Sequence, residues 1–156
     1  MIIRVTRERS VAGFTLIELM IVVAVLAIIA AIAYPTYQGQ VQASRRADGK
    51  SMLMQVMHAE ERYYTENYSY TTDLDDSGDG GELGLNDGGA SAGNVLSDDE
   101  FYEISASGCG SGIGECVQLT ASRRGAQQAD TECGNLTMDS LGNRGNTGSA
   151  PADECW

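Results

Sequence analysis

The chain has 156 residues, a formal net charge of −12 and four cysteines. About 90 residues follow the helical first part of the chain, enough for one small domain with a modest core and too few for two. The acidic balance sets its surface against bare nucleic acid phosphates, and no Ser/His/Asp set, nucleotide loop or cofactor signature points to an enzyme or calls for a cofactor. The chain opens on a short leader, residues 1–13, in which Arg4, Arg7 and Arg9 stand against Glu8. An excess of Lys and Arg keeps such a segment cytoplasmic and sends the rest of the chain out.

Phe14 to Ala33 comes next, 20 residues that are wholly apolar apart from Thr15 and Glu18. At about 1.5 Å per residue such a helix crosses a hydrocarbon core of about 30 Å. It also lacks the polar face that a core-packing helix of a soluble domain shows. Glu18 is the anomaly. A charge at mid-bilayer costs roughly 2.5–3.5 kcal/mol on insertion scales, so an acid there reads as functional. Two processing readings compete. Cleavage after Ala31-Ile32-Ala33, an A-x-A site, would release a soluble protein beginning at Tyr34. Cleavage after Gly13 would keep the apolar segment. A disposable signal core gains nothing from a buried carboxylate, and the stretch exceeds the roughly 7–15 residues of such a core, so retention is the preferred reading.

Gly13, then Phe14-Thr15-Leu16-Ile17-Glu18, then an apolar run closed by Tyr34-Pro35, resembles the class III signal of type IV pilins and pseudopilins. The resemblance implies cleavage between Gly13 and Phe14 by a prepilin peptidase, with N-methylation of the new Phe14 amine. It also implies that Glu18 guides assembly by pairing with the terminal amine of a neighbouring subunit. The physics agrees: opposite charges attract strongly in a low dielectric, and either one alone is costly there.

Pro35 lacks an N–H donor and crowds the preceding turn, so it is expected to end or kink the transmembrane and assembly segment, 14–35. A second helical stretch covers 36–64. Val41, Leu53, Val56, Met57, Tyr63 and Tyr64 recur there largely at spacings of three and four, with Arg45, Arg46, Asp48, Lys50, Glu60, Glu61 and Arg62 on the polar side. One rod is expected, apolar all round and then amphipathic, its second half packed on a small head. Gly39 and Gly49 each lower helix propensity by up to about 1 kcal/mol and mark soft points. Residues 65–100 are rich in Gly, Asp, Ser and Asn, as in Asp75-Asp76-Ser77-Gly78-Asp79-Gly80-Gly81. They predict a long surface loop with little regular structure.

Residues 101–156 predict a sheet and a tail. Phe101–Ser107 alternates weakly, while Cys116–Ser122 and Asn135–Asp139 have period two. Gly-rich turns between them argue an antiparallel meander with its apolar side on the amphipathic helix, followed by a loop-rich stretch from Leu141 to Trp156. The four cysteines, Cys109, Cys116, Cys133 and Cys155, read as two disulfides in an exported head. Three pairings are possible. Cys109–Cys116 across the first hairpin and Cys133–Cys155 across the tail are favoured, the second worth about 3 kcal/mol by loop closure. Arg62-Tyr63-Tyr64-Thr65-Glu66-Asn67-Tyr68, Cys133-Gly134-Asn135-Leu136-Thr137 and the final Cys155-Trp156 resemble the PilE-like minor pilins. By that resemblance Cys133 and Cys155 match the pair that closes the family's C-terminal loop.

Other constellations have plainer readings. Loss of residues 1–13, with three Arg and one Glu, takes the net charge of −12 down by two, to −14. Arg45, Arg46 and Lys50 form a compact basic group, read as a solvated or lipid-facing patch in preference to a DNA contact. Arg123-Arg124 reads as an exposed turn. Asp75, Ser77 and Asp79 with Gly80 imitate the start of an EF-hand loop, but Asn86 stands where the bidentate Glu belongs, so a solvated acidic loop is preferred. The cysteines lack C-x-x-C spacing and His58 lies far from them, so zinc is set aside. His58, Glu60 and Glu61 do not form H-E-x-x-H. Tyr63, Tyr64, Tyr68 and Tyr70 read first as packing where helix meets sheet, and second as a sugar platform.

The expectation is therefore an α+β fold: a long N-terminal helix, membrane-embedded in its first half, packed by its second half on a small antiparallel sheet with a disulfide-closed C-terminal loop. The expected function is that of a minor pilin of a bacterial type IV pilus, acting in pilus assembly, twitching motility and surface attachment. Expected partners are other pilin subunits, the prepilin peptidase and methyltransferase, the inner-membrane assembly machinery and lipid, with no direct nucleic acid contact and no metal. The protein would sit in the inner membrane with its head in the periplasm, then in the extracellular pilus. The alternatives are a soluble secreted calcium- or sugar-binding protein beginning after Ala33, and a type II secretion pseudopilin.

Overall fold

A computed structural model describes residues 13–76, 83–110 and 112–156, with the main chain alone at Pro35 and Thr36. Two compact units are present, one up to Gly39 and the other from Gln40 to Trp156. Helix α1, Leu16–Asn67, contributes to both. Pro35 does not end it: the helical backbone continues through Pro35 and on for three residues beyond the expected 64. A proline removes one donor from the ladder, and the bonds of the flanking turns carry the helix past it.

In the second unit α1 packs on a five-stranded sheet of order β1-β2-β3-β4-β5, antiparallel throughout. The strands are β1 Val95–Leu96, β2 Tyr102–Gly108, β3 Val117–Arg123, β4 Leu136–Asp139 and β5 Arg144–Asn146. The alternation in β3 sets its register. Val117, Leu119 and Ala121 are buried while the residues between them are not, and a one-residue slip would turn that face to water. Ile104 pairs with Ala121, and Ala121 with Leu136 across the next ladder. These residues meet Met52, Leu53, Val56 and Met57 of α1 in one core, joined by Leu74, Val95 and Tyr102.

The expected meander is present, with two strands added. β1 lies inside the stretch read as a loop, which also holds a single bridge between Asp75 and Leu85. β5 and a short helix α2, Ala152–Cys155, order the stretch read as a loop-rich tail. A 3₁₀ helix, Gly125–Ala129, fills the turn between β3 and β4. Disulfides join Cys109 to Cys116 and Cys133 to Cys155. The first closes the β2–β3 turn, whose Ile113 carbonyl accepts the Tyr70 N–H. The second anchors α2 to the loop before β4, with both cysteines inside the core.

Candidate functional site: the first turn of the long helix and the cations of the head

The first site is the start of α1. Thr15 precedes the helix, and its Oγ1 accepts the Glu18 N–H at 3.3 Å, while its carbonyl accepts the Leu19 N–H at 3.2 Å. Thr15 is thus the N-cap and Glu18 the third helical residue, the T-x-x-E pattern of a capping box. A carboxylate in the first turn also complements the positive end of the helix dipole. Glu18 therefore has a local reason to be acidic, one the sequence reading did not use although Thr15-Leu16-Ile17-Glu18 displays it. Among the described residues no cation lies within ion-pair distance of Glu18.

Past that turn the helix presents apolar side chains on every side. Phe14 is 89% exposed and Ile32 71%, with the large apolar residues between them at least half exposed. The best 18-residue window has a mean hydropathy of 3.0 and none of it is buried. An apolar surface this continuous is unstable in water at about 25 cal/mol per Å² and needs lipid or other helices against it. Gly13 has open space at its Cβ position. The leader, residues 1–12, lies outside the described residues, so the position of Gly13 and Phe14 relative to it is not part of the geometry.

Among the described residues, six of the head's seven cations are taken up by partners within it. Arg46 Nη1 meets Asp130 Oδ2 at 2.8 Å, with side chains 15% and 1% exposed. Lys50 Nζ donates to the main-chain oxygen of Trp156 at 3.0 Å. Burial, then the neighbouring charges of Arg46 and Arg144, hold the Lys50 ammonium below its ordinary range. Arg45 lies over the Phe101 ring at 4.5 Å and Arg144 over Trp156 at 5.2 Å. Arg123 donates to Asn135 Oδ1 and to the carbonyls of Gln128 and Asp130, and Arg124 sits 3.7 Å from Glu103. The expected basic patch at Arg45, Arg46 and Lys50 is thus corrected. Those side chains turn onto the head because Asp130, Phe101 and the C-terminal turn supply partners that solvent or lipid would not. Arg123-Arg124 is likewise no exposed turn but the end of β3 and the residue after it.

Other sequence-predicted residues separate. Tyr64 and Tyr70 stack at 4.6 Å, whereas Tyr68 is 81% exposed. His58 is exposed and 3.9 Å from Glu61. Ser77, Asp79 and Gly80 of the calcium-like pattern lie outside the described residues; Asp75 Oδ2 accepts the Gly93 N–H at 2.8 Å. Among the described residues no group of three His, Cys, Asp or Glu side chains could hold a metal. Gly49 is no soft point. It lies buried under the Tyr102 ring, where a Cβ would come within 2.7 Å.

Comparison with known proteins fits this geometry. Residues 35–137, roughly two thirds of the chain, match the family described as type IV minor pilin ComP, DNA uptake sequence receptor. Residues 9–34 match the prokaryotic N-terminal methylation motif. The chain is similar to the fimbrial protein EcpC of Eikenella corrodens, 41% identical over 61 residues, or 39% of this chain and 40% of that one. It is also similar to the type IV major pilin PilA of Myxococcus xanthus, 41% identical over 59 residues, 38% and 27% of the two chains. The type IV major fimbrial protein FimA of Dichelobacter nodosus is 55% identical over 40 residues, 26% and 25%. The chain thus spans between a quarter and two fifths of the length of these relatives.

Proposed function

We propose that this chain, which belongs to the type IV pilin family, is a minor subunit that enters its filament through the first turn of α1. The observation that carries the proposal is the exposed apolar surface from Phe14 to Ile32 with an acid, Glu18, in its first turn. Prepilin peptidase would cut between Gly13 and Phe14 and a methyltransferase would modify the new amine. The helix would hold the subunit in the inner membrane with the head in the periplasm until the assembly machinery passes it to the pilus. There it would act in assembly, twitching motility and attachment. The N-terminal methylation match over residues 9–34 supports retention of the apolar segment over release after Ala33. Mass spectrometry of the mature protein tests this. A methylated Phe14 is expected, and a free Tyr34 would replace the pilin subunit with a secreted module.

Glu18 carries two candidate duties, and glutamine separates them. A capping box accepts Gln as well as Glu, whereas pairing with an amine needs the charge. Glu18→Gln is therefore expected to be processed and then to fail in incorporation, the outcome also expected of Glu18→Ala. Wild-type incorporation of the Gln variant would leave capping as the whole role.

A DNA-receptor role is the second reading, since the matched family's description names it. The head's charge favours it little. Counterion release from phosphates needs several uncommitted cations, and six of the seven in Gln40–Trp156 have intramolecular partners among the described residues. Duplex binding at physiological salt is expected to be too weak to measure. Sequence-selective retention of DNA by the purified head would reverse that ranking.

A further inference from the structure

Arg62 is the exception among the head's cations. It is exposed on the last turns of α1, and among the described residues its guanidinium has no ion pair, hydrogen bond or ring contact. It borders a small surface hollow with Ala59, Tyr63, Glu66 and Leu83. Just past the helix end, Tyr68 has φ +56° and a ring 81% exposed. Helices commonly end on a left-handed residue, but glycine takes that place because a bulky side chain is strained there. Tyr68 obtains no compensating burial. Its N–H bonds the Tyr64 carbonyl at 2.9 Å, and the Asn67 side chain bonds the Tyr63 carbonyl at 3.1 Å, so the turn that presents the ring is fixed.

Charge says what this end of the helix meets. From Gln40 to Trp156 the sequence has seven Lys or Arg against twenty Asp or Glu, a net of −13. Where a neighbour in the filament carries a head as acidic as this one, the two repel. A like-charged neighbour offers carboxylates in abundance and almost no spare cation. The single uncommitted guanidinium is then the group able to turn such an encounter from repulsive to attractive, and a bidentate carboxylate is its best partner. An exposed tyrosine beside it supplies apolar contact at low entropic cost.

We propose that the C-terminal end of α1 is a contact surface for the acidic head of an adjoining pilin subunit, with Arg62 receiving its carboxylate and Tyr68 packing against it. This rests on the pilus reading above. The test is made in the producing cell on the full chain. The ratio of subunit in sheared filaments to subunit in membranes is measured for Arg62→Glu, Arg62→Lys, Tyr68→Gly and, separately, Glu18→Ala. Arg62→Glu is expected to lower that ratio roughly threefold to tenfold, with most of it kept by Arg62→Lys. Tyr68→Gly should also lower incorporation while raising the urea midpoint of the head, because glycine relieves the left-handed strain. Unchanged urea midpoints for the Arg62 variants show that the head is folded. Incorporation of Arg62→Glu at the wild-type level overturns the contact surface, as does loss of head stability in Tyr68→Gly. Normal filaments that lose retention on an immobilised acidic glycan also overturn it, since the surface would then serve a ligand. Wild-type incorporation of Glu18→Ala strikes instead at the entry mechanism.

Discussion

Gly49→Ala puts two ordinary rules in opposition. Gly49 lies inside α1, where alanine is worth up to about 1 kcal/mol more than glycine by helix propensity. At an open helical site the change would stabilise the head. Here the new Cβ would lie 2.7 Å from Tyr102 Cδ2, 2.8 Å from Cγ and 3.0 Å from Cε2, against about 3.5–4.0 Å at ordinary contact. The ring cannot swing away freely. Tyr102 is fully buried, and its hydroxyl accepts the Gln127 Nε2–H at 3.1 Å, with Gln127 itself fully buried. Overpacking of this kind costs about 1–3 kcal/mol, so with about 1 kcal/mol of propensity gained a net loss of up to about 2 kcal/mol is expected. For a unit near 100 residues each kcal/mol shifts Tm by about 4–8 °C. Trp156, the sole tryptophan, reports the transition: it is half-buried and its Nε1–H donates to the Gly145 carbonyl at 2.8 Å. Urea unfolding of the oxidised full chain in micelles, followed by its fluorescence, gives the number. In a Tyr102→Ala background the three ring atoms that the new Cβ would meet are gone, and the same change should become neutral or stabilising, a coupling that a double-mutant cycle isolates. Stabilisation by Gly49→Ala in the wild-type background would refute the close approach of helix and ring.

Arg46→Ala should cost about 3 kcal/mol in the same assay. It leaves Asp130 buried without its ion partner, although Asp130 keeps bonds from Gln127 and the Cys133 N–H. Breaking Cys133–Cys155 by paired alanines removes a closure across 22 residues, worth about 3.4 kcal/mol, against about 2.4 kcal/mol for the 7-residue separation of Cys109–Cys116; equal losses would argue against loop entropy as the cause. Glu103 titrates low because the Asn94 side chain and Ser91 donate to its carboxylate and Arg124 stands nearby. A depressed carboxyl stabilises the fold above its ordinary pKa, and that contribution fades as pH falls below 4.5 and through the folded value. Glu103→Gln should flatten the fall in urea midpoint between about pH 5.5 and about pH 3, each about one unit or more from the ordinary carboxylate value; an unchanged slope would show that other acids set it.

The sequence disclosed elements with a strong period and concealed those held by partners alone. Val117, Leu119 and Ala121 alternate, so β3 is readable without a structure. β1 is two adjacent buried residues, Val95 and Leu96, too few to show a period. β5 is Arg144-Gly145-Asn146, with no apolar residue at all. It is a strand because β4 offers it a ladder and Trp156 takes one of its carbonyls. The same limit applies to charge. Arg45, Arg46 and Lys50 look like a solvated stripe while only the helix is considered, because Asp130, Phe101 and Trp156 lie 56 to 106 positions away and nothing local announces them. Thr15 differs from these, since T-x-x-E is a local pattern legible without any distant partner.

The two units follow from two different environments acting on one helix. From Phe14 to Tyr34 the side chains are exposed and, apart from Thr15 and Glu18, apolar, and their stability must come from lipid or from other subunits. Beyond Gly39 the helix supplies Leu53, Val56 and Met57 to a core that its own chain completes. Mutations in the two units should therefore separate by assay. Core and ion-pair changes in the head move an unfolding midpoint and reach the filament only by lowering the amount of folded subunit. Changes at Phe14 and Glu18 leave that midpoint alone and act where the apolar surface is covered. Arg62 and Tyr68 cross that division, because they belong to the folded head and yet contribute almost nothing to its interior. Changes at Arg62 should follow the second pattern, and Tyr68→Gly should lower incorporation even as it raises the midpoint, so in neither case is a loss from the filament explained by a loss of folded subunit.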